Sequence, residues 1–186
     1  MAYSSTKKKS AGIVQISIGI LTVILVVLII AMMMIVSSIQ GTARIVNYAG
    51  LVRGKTQRIV KLEISGKQED DMIQEIESFI DGLMNGNKEL NLVRLEDSDF
   101  QTKMEELNEY FLMLEQEIMQ VRAYGADKTQ ILSKSEHFFE ICDEATGLAE
   151  VYSQRKASLL SVFEKYITAD IVVLMLLIGY EFIKAV

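Results

Sequence analysis

The chain has 186 residues, 50% hydrophobic and 24% charged, with a net charge of −6. Charge is segregated: Gly12 to Val36 carries none, while positions 39–165 hold 15 basic and 23 acidic side chains, net −8. Such an acidic domain repels phosphate, which argues against nucleic acid as a partner; one cysteine, Cys142, excludes an internal disulfide framework and a cysteine-based zinc site.

The first element is the apolar run Ile13–Val36. A helix needs about 20 apolar residues to cross a bilayer, and a cleaved signal sequence has a shorter apolar region. The run therefore reads as a retained membrane anchor. Lys7, Lys8 and Lys9 precede it, and positive residues stay on the cytoplasmic side. The expected layout is a cytoplasmic tail at 1–12, a first transmembrane helix at 13–38, an extracytoplasmic domain at 39–165 and a second transmembrane helix at 166–186. Both termini would then face the cytoplasm of a two-pass cell-membrane protein in contact with lipid. Asp170 and Glu181 lie near the two ends of the second segment, at depths from which a carboxylate reaches headgroups.

Between the segments the apolar residues keep helical spacing, and the absence of proline suits long helices. One helix continues from the first anchor through Ile64 and stops at Gly66-Lys67. A second spans about Gln68–Met84, with Glu69, Asp70 and Asp71 favourably placed at its positive end, and ends at Asn85-Gly86-Asn87. A third spans about Ser98–Tyr124, with a seam of Phe100, Met104, Leu107, Phe111, Leu114, Ile118 and Val121; its glutamates read as a solvated face. A fourth starts near Asp127 and continues into the second anchor, with a seam of Ile131, Ser135, Phe138, Cys142, Ala145, Ala149, Tyr152, Leu159 and Phe163. The expected fold is all-α: an antiparallel up-down-up-down four-helix bundle between two transmembrane helices. Cys142 reads as a small core residue, and His137 as solvent-facing.

The first outer helix departs from its surroundings. Positions 40–62 hold Arg44, Arg53, Lys55, Arg58 and Lys61, with no Asp or Glu. At about 100° per residue, Ile45, Ala49, Val52, Ile59 and Val60 form its apolar stripe. Arg53 falls on the edge of that stripe, flanked by Gly50 and Gln57, whereas the other cations fall off it. An arginine facing a seam needs a negative partner. That partner is either a carboxylate of the chain, from the second or fourth helix, or a small external anion. Gly50 and Gly54 each cost a helix about 1 kcal/mol, which invites a packing or functional reason.

Residues 47–62 read NYAGLVRGKTQRIVKL. This stretch resembles the P-box of nitrate and nitrite sensor kinases. It also resembles the start of the PilJ-type sensory domain of type IV pili methyl-accepting chemotaxis transducers, a domain type also found before histidine kinases and diguanylate cyclases. Asn47, Ala49, Gly50, Arg53, Gln57 and Arg58 fit the family's spacing; after Arg53 the chain has Gly-Lys-Thr where the nitrate sensors have a Met-Gln-Ser type of sequence. The resemblance implies a ligand-binding set of Arg53, Gly50, Asn47, Gln57 and Arg58. It implies a homodimer in which Arg53 of both protomers holds one small anion at the symmetry axis. It further implies a role as the input module of a transmembrane signalling protein, with the output on a cytoplasmic portion beyond Val186. The alternative is a structural or partner-binding membrane protein with no small ligand. No nucleophile–base pair, metal-ligand spacing or phosphate loop is present, so no catalytic residue, metal or cofactor is expected and the chain is not read as an enzyme.

Overall fold

A computed structural model describes the backbone of residues 2–125 and 128–185 and the side chains of 12–125 and 128–184. It contains four helices: α1 (Ala2–Ile64), α2 (Asp70–Asn85), α3 (Ser98–Tyr124) and α4 (Lys128–Ala185). The described residues form no strand beyond an isolated bridge between Asn87 and Leu92, so the fold is all-α. The expected helix limits agree within two residues; Asp127 lies outside the described residues.

Local chemistry explains each boundary. α1 ends where Gly66 takes a φ of +81°, a region open to glycine, and Lys128 Nζ donates to the exposed Ile64 carbonyl at 2.7 Å. α2 opens on Asp70 and Asp71 and closes at Gly86, φ +83°. Arg94 Nη1 donates to the Met84 carbonyl at 2.7 Å, satisfying the last turn of α2. α3 is capped by Asp97, whose carboxylate accepts from the Phe100 amide at 3.1 Å. It ends at Gly125 in the left-handed region, φ +62°.

The chain divides into two compact units, residues 39–155 and residues 1–38 with 156–186. In the first, all four helices feed one core. α1 gives Ile45, Ala49, Val52, Ile59 and Val60; α2 gives Ile73, Ile76, Phe79, Ile80 and Leu83. All seven expected seam residues of α3 are buried, as are Ile131, Phe138, Ile141, Cys142, Ala145 and Ala149 of α4. Each large side chain so buried contributes about 1.5–3 kcal/mol before entropy is subtracted.

Cross-helix polar contacts frame this core. Arg53 meets Asp143 across α1 and α4. Lys103 meets Glu144, and Lys134 meets Glu117, across α3 and α4. Lys55 meets Glu75 across α1 and α2. The most enclosed contact joins Arg122 to Glu63, with side chains 13% and 3% exposed. Arg122 Nε and Nη2 both donate to the Glu63 carboxylate, and Nη1 donates to Asp70 at 2.6 Å. This cluster fastens α1, α3 and the start of α2 together.

The second unit is apolar on its outside. α1 and α4 each contain a stretch long and apolar enough to cross a membrane, and none of the α1 window is buried. Ile13, Ile16, Val23, Met33 and Met34 are all more than half exposed, as are Met175, Leu176, Phe182 and Ile183.

Three expectations need correction. Glu117 is not part of a solvated face: it is 7% exposed, because the α3–α4 contact covers it and Lys134 supplies a counter-charge. Leu159 leaves the seam and is 48% exposed, because the core of the first unit ends before it. That unit closes at Arg155. Asp170 is buried at 8% exposure, and its Oδ2 has no hydrogen-bond partner among the described residues. It lines an apolar groove with Leu21, Ile24, Leu28 and Tyr166 instead of reaching outward.

Arg122→Ala strands the buried Glu63 carboxylate. It should cost about 3–5 kcal/mol, measured by urea unfolding of the first unit's signal in the intact chain. Replacing both Arg122 and Glu63 with methionine should recover most of that loss. A cost under about 1 kcal/mol for Arg122→Ala would show that the cluster does not fasten the helices.

Candidate anion site on α1

The candidate residues lie on one helix but on two of its faces. At about 100° per residue, Arg53, Gly50 and Gln57 fall within a narrow sector bordering the buried stripe. Asn47 and Arg58 fall on the outer face, and both are exposed. Gly50 and Gln57 are half-buried.

Arg53 sits where the border of α1 meets α4. Its Nη1 donates to Asp143 Oδ1 at 2.5 Å. Its guanidinium carbon stands 4.9 Å from the centre of the Phe139 ring, within range of a cation–π contact. The sequence placed Arg53 towards a packed seam. In the structure its side chain is 35% exposed and that of Asp143 61% exposed. The site is therefore half-open, because the residue lies beside the stripe and not on it.

Asp143 and Phe139 are the residues that sequence reasoning did not single out. A carboxylate of the second or fourth helix was expected, but many were available. The usable signal was register. Phe138 and Cys142 belong to the α4 seam, so Phe139 and Asp143, each one step on and four residues apart, share its border.

The space around the pair is open. A Cβ placed on Gly50 or Gly54 would meet no atom of another element within 4 Å, and the same holds for Gly147 on α4. A shallow cavity of about 350 Å³ beside Arg53's partner is lined by Phe139, Glu140, Asp143 and Glu144. Glu144 is engaged by Lys103 at 2.6 Å, a hydrogen bond that pulls its pKa down, and Glu140 contacts His137 at 3.1 Å. Arg53 thus has one carboxylate in contact, and the unfilled volume lies beside that carboxylate. Among the described residues no group of three or more His, Cys, Asp or Glu could hold a metal ion.

No protein-family model matches the chain, and no curated protein matches it. A solved structure does: the ligand-binding domain of the P. aeruginosa nitrate receptor McpN, with a TM-score of 0.54 and 18% identity. The match covers 59% of this chain and 96% of that domain. The two share a fold. The correspondence gives the chain the architecture of a sensor's ligand-binding domain, and at this identity it speaks of architecture alone.

Cys142 lies directly behind this border and is fully buried. Burial pushes its thiol pKa up to about 12, Arg53 acting against this and Asp143 with it. Because the thiolate is the reactive form, the folded chain at pH 8 should resist alkylation by iodoacetamide and react only once unfolded. Rapid modification of the folded chain would show that the α1–α4 border opens freely.

Proposed function

We propose that the chain is the extracytoplasmic sensory input module of a transmembrane signalling protein. In this reading residues 39–165 form an up-down-up-down bundle between two crossings of the cell membrane. A small anion of the nitrate or nitrite kind binds at Arg53. The observation that carries the proposal is the position of this arginine. It is a half-open cation on the helix that also contains the apolar first span, in a fold similar to that of a nitrate receptor's ligand-binding domain.

The pairings between helices support the antiparallel order. Arg53 with Asp143 and Ile64 with Lys128 match late positions of α1 to early positions of α4. Lys103 with Glu144 and Glu117 with Lys134 run in opposite order along α3 and α4. Two crossings are supported by the exposed apolar surface of the second unit, which is unfavourable in water and expected in lipid. Lys7 to Lys9 favour a cytoplasmic N-terminus.

The PilJ-type and P-box resemblance adds a homodimer. Two Arg53 side chains facing a two-fold axis repel, and one anion between them turns that repulsion into attraction. Asn47 and Arg58, on the outer face of α1, would then border the partner protomer, and Gly50 and Gly54 would let the two helices approach. Binding would favour one arrangement of α1 and α4, and the shift would pass along both helices. The proposed role is binding and relay, without catalysis.

One observation favours the rival reading, a structural membrane protein without a ligand: Arg53 already has a carboxylate partner. The open space at Gly50 and Gly54 weighs against it, because among the described residues no packing neighbour requires either glycine.

Calorimetric titration of the intact chain in nanodiscs separates the two. Nitrate or nitrite should bind, and Arg53→Ala should weaken binding at least about tenfold, a loss of about 1.4 kcal/mol, with thermal stability little changed. Failure of nitrate, nitrite and related anions to bind would decide for the structural reading.

A further inference from the structure

We propose that Asp143 is a built-in counter-ion of the Arg53 site. It occupies the arginine when no ligand is present, and an incoming anion must displace it. The inference rests on the anion-sensor reading above and names the residue that sets the affinity of that site.

Exposure separates this pair from the enclosed ones. Arg122–Glu63 and Lys134–Glu117 each include a carboxylate no more than 9% exposed. Removing the partner of such a group leaves a buried charge, which is strongly unfavourable. Asp143 is 61% exposed. Released from Arg53, its carboxylate is resolvated at once, and exposed pairs of this kind are weak. Arg53–Asp143 is thus a pair that can open without loss of the fold.

Arg53 is also supported for the exchange. The Phe139 ring holds the guanidinium from its face, so the arginine keeps its place when its carboxylate leaves. A guanidinium has five N–H donors. Among the described residues, Arg53 donates to Asp143 alone. Phe139, Asp143 and Gly147 follow one another at four-residue intervals along the same edge of α4. In the antiparallel register fixed by Arg53–Asp143 and Ile64–Lys128, Gly147 comes opposite Gly50. Neither glycine has a neighbour where a Cβ would stand. The displaced carboxylate and the arriving anion therefore have adjoining space, one helical turn from the guanidinium.

The surrounding charges fit a role in setting the threshold. On the α4 side, Glu140 and Glu144 flank Asp143 and have their own contacts with His137 and Lys103. On the α1 side, the residues near Arg53 are uncharged Gly50 and Gln57, with Arg58 on the outer face. Asp143 is the carboxylate in contact with Arg53, so its negative charge is the one that an anion must replace.

The test is nitrate titration of the intact chain in nanodiscs at constant ionic strength, with chloride as the balancing anion. Asp143→Asn and Asp143→Ser each remove the competing charge at an exposed position. Both should bind nitrate about two- to fivefold more tightly than the unmodified chain, while Asp143→Glu keeps the original affinity. If the unmodified chain binds nitrate and the neutral variants bind no better, the counter-ion role is overturned and the sensor reading stands. If none of the four chains binds nitrate, both are overturned.

Discussion

The arrangement depends on one apolar stripe on α1. Ile45, Ala49, Val52, Thr56, Ile59, Val60 and Glu63 are all buried, and they lie on one face at helical spacing. This stripe fixes the rotation of α1 about its own axis. Once it is packed, Asn47, Leu51, Gly54, Arg58 and Lys61 must face outward. Arg53 must then stand at the border, against α4. Its half-open position follows from the packing of the hydrophobic residues around it.

The same stripe shows how polar chemistry is graded by depth. Glu63 ends it and is buried, and it receives two donors from Arg122. Thr56, in its middle, is 1% exposed with a hydroxyl that has no partner among the described residues. Arg53, one step outside it, makes an exposed ion pair with Asp143. An enclosed ion pair is strongly destabilised by loss of one partner, whereas an exposed pair contributes about 0–1 kcal/mol. The chain thus combines a fixed clamp between α1, α2 and α3 with a labile one between α1 and α4. The proposed sensor role needs both: a bundle that stays folded and a contact that a ligand of ordinary affinity can exchange.

Much of this was legible in the residues. The α3 seam was read without error because seven large apolar side chains recur at three- and four-residue steps. The α1 stripe was read as well, because its apolar positions are separated by cations that cannot share its face. Glu117 was misread, since a carboxylate on a helix already rich in glutamate gives no local sign that Lys134 will cover it. Asp143 could not be chosen as Arg53's partner from spacing alone, because that choice depends on how α4 is rotated against α1. Asp170 was misplaced for the same reason: its depth along the helix could be read, its direction could not. The end of the seam at Tyr152 was hidden because Leu159 and Phe163 continue the pattern into the second unit.

A pair of structures of the intact chain in nanodiscs, one with nitrate and one without, tests the central claim most directly. The account predicts that without nitrate Arg53 contacts Asp143. With nitrate it predicts an anion on the Arg53 guanidinium, the ring of Phe139 still beneath it and the Asp143 carboxylate turned to solvent. An unchanged Arg53–Asp143 contact at saturating nitrate, with no anion beside Arg53, would contradict it.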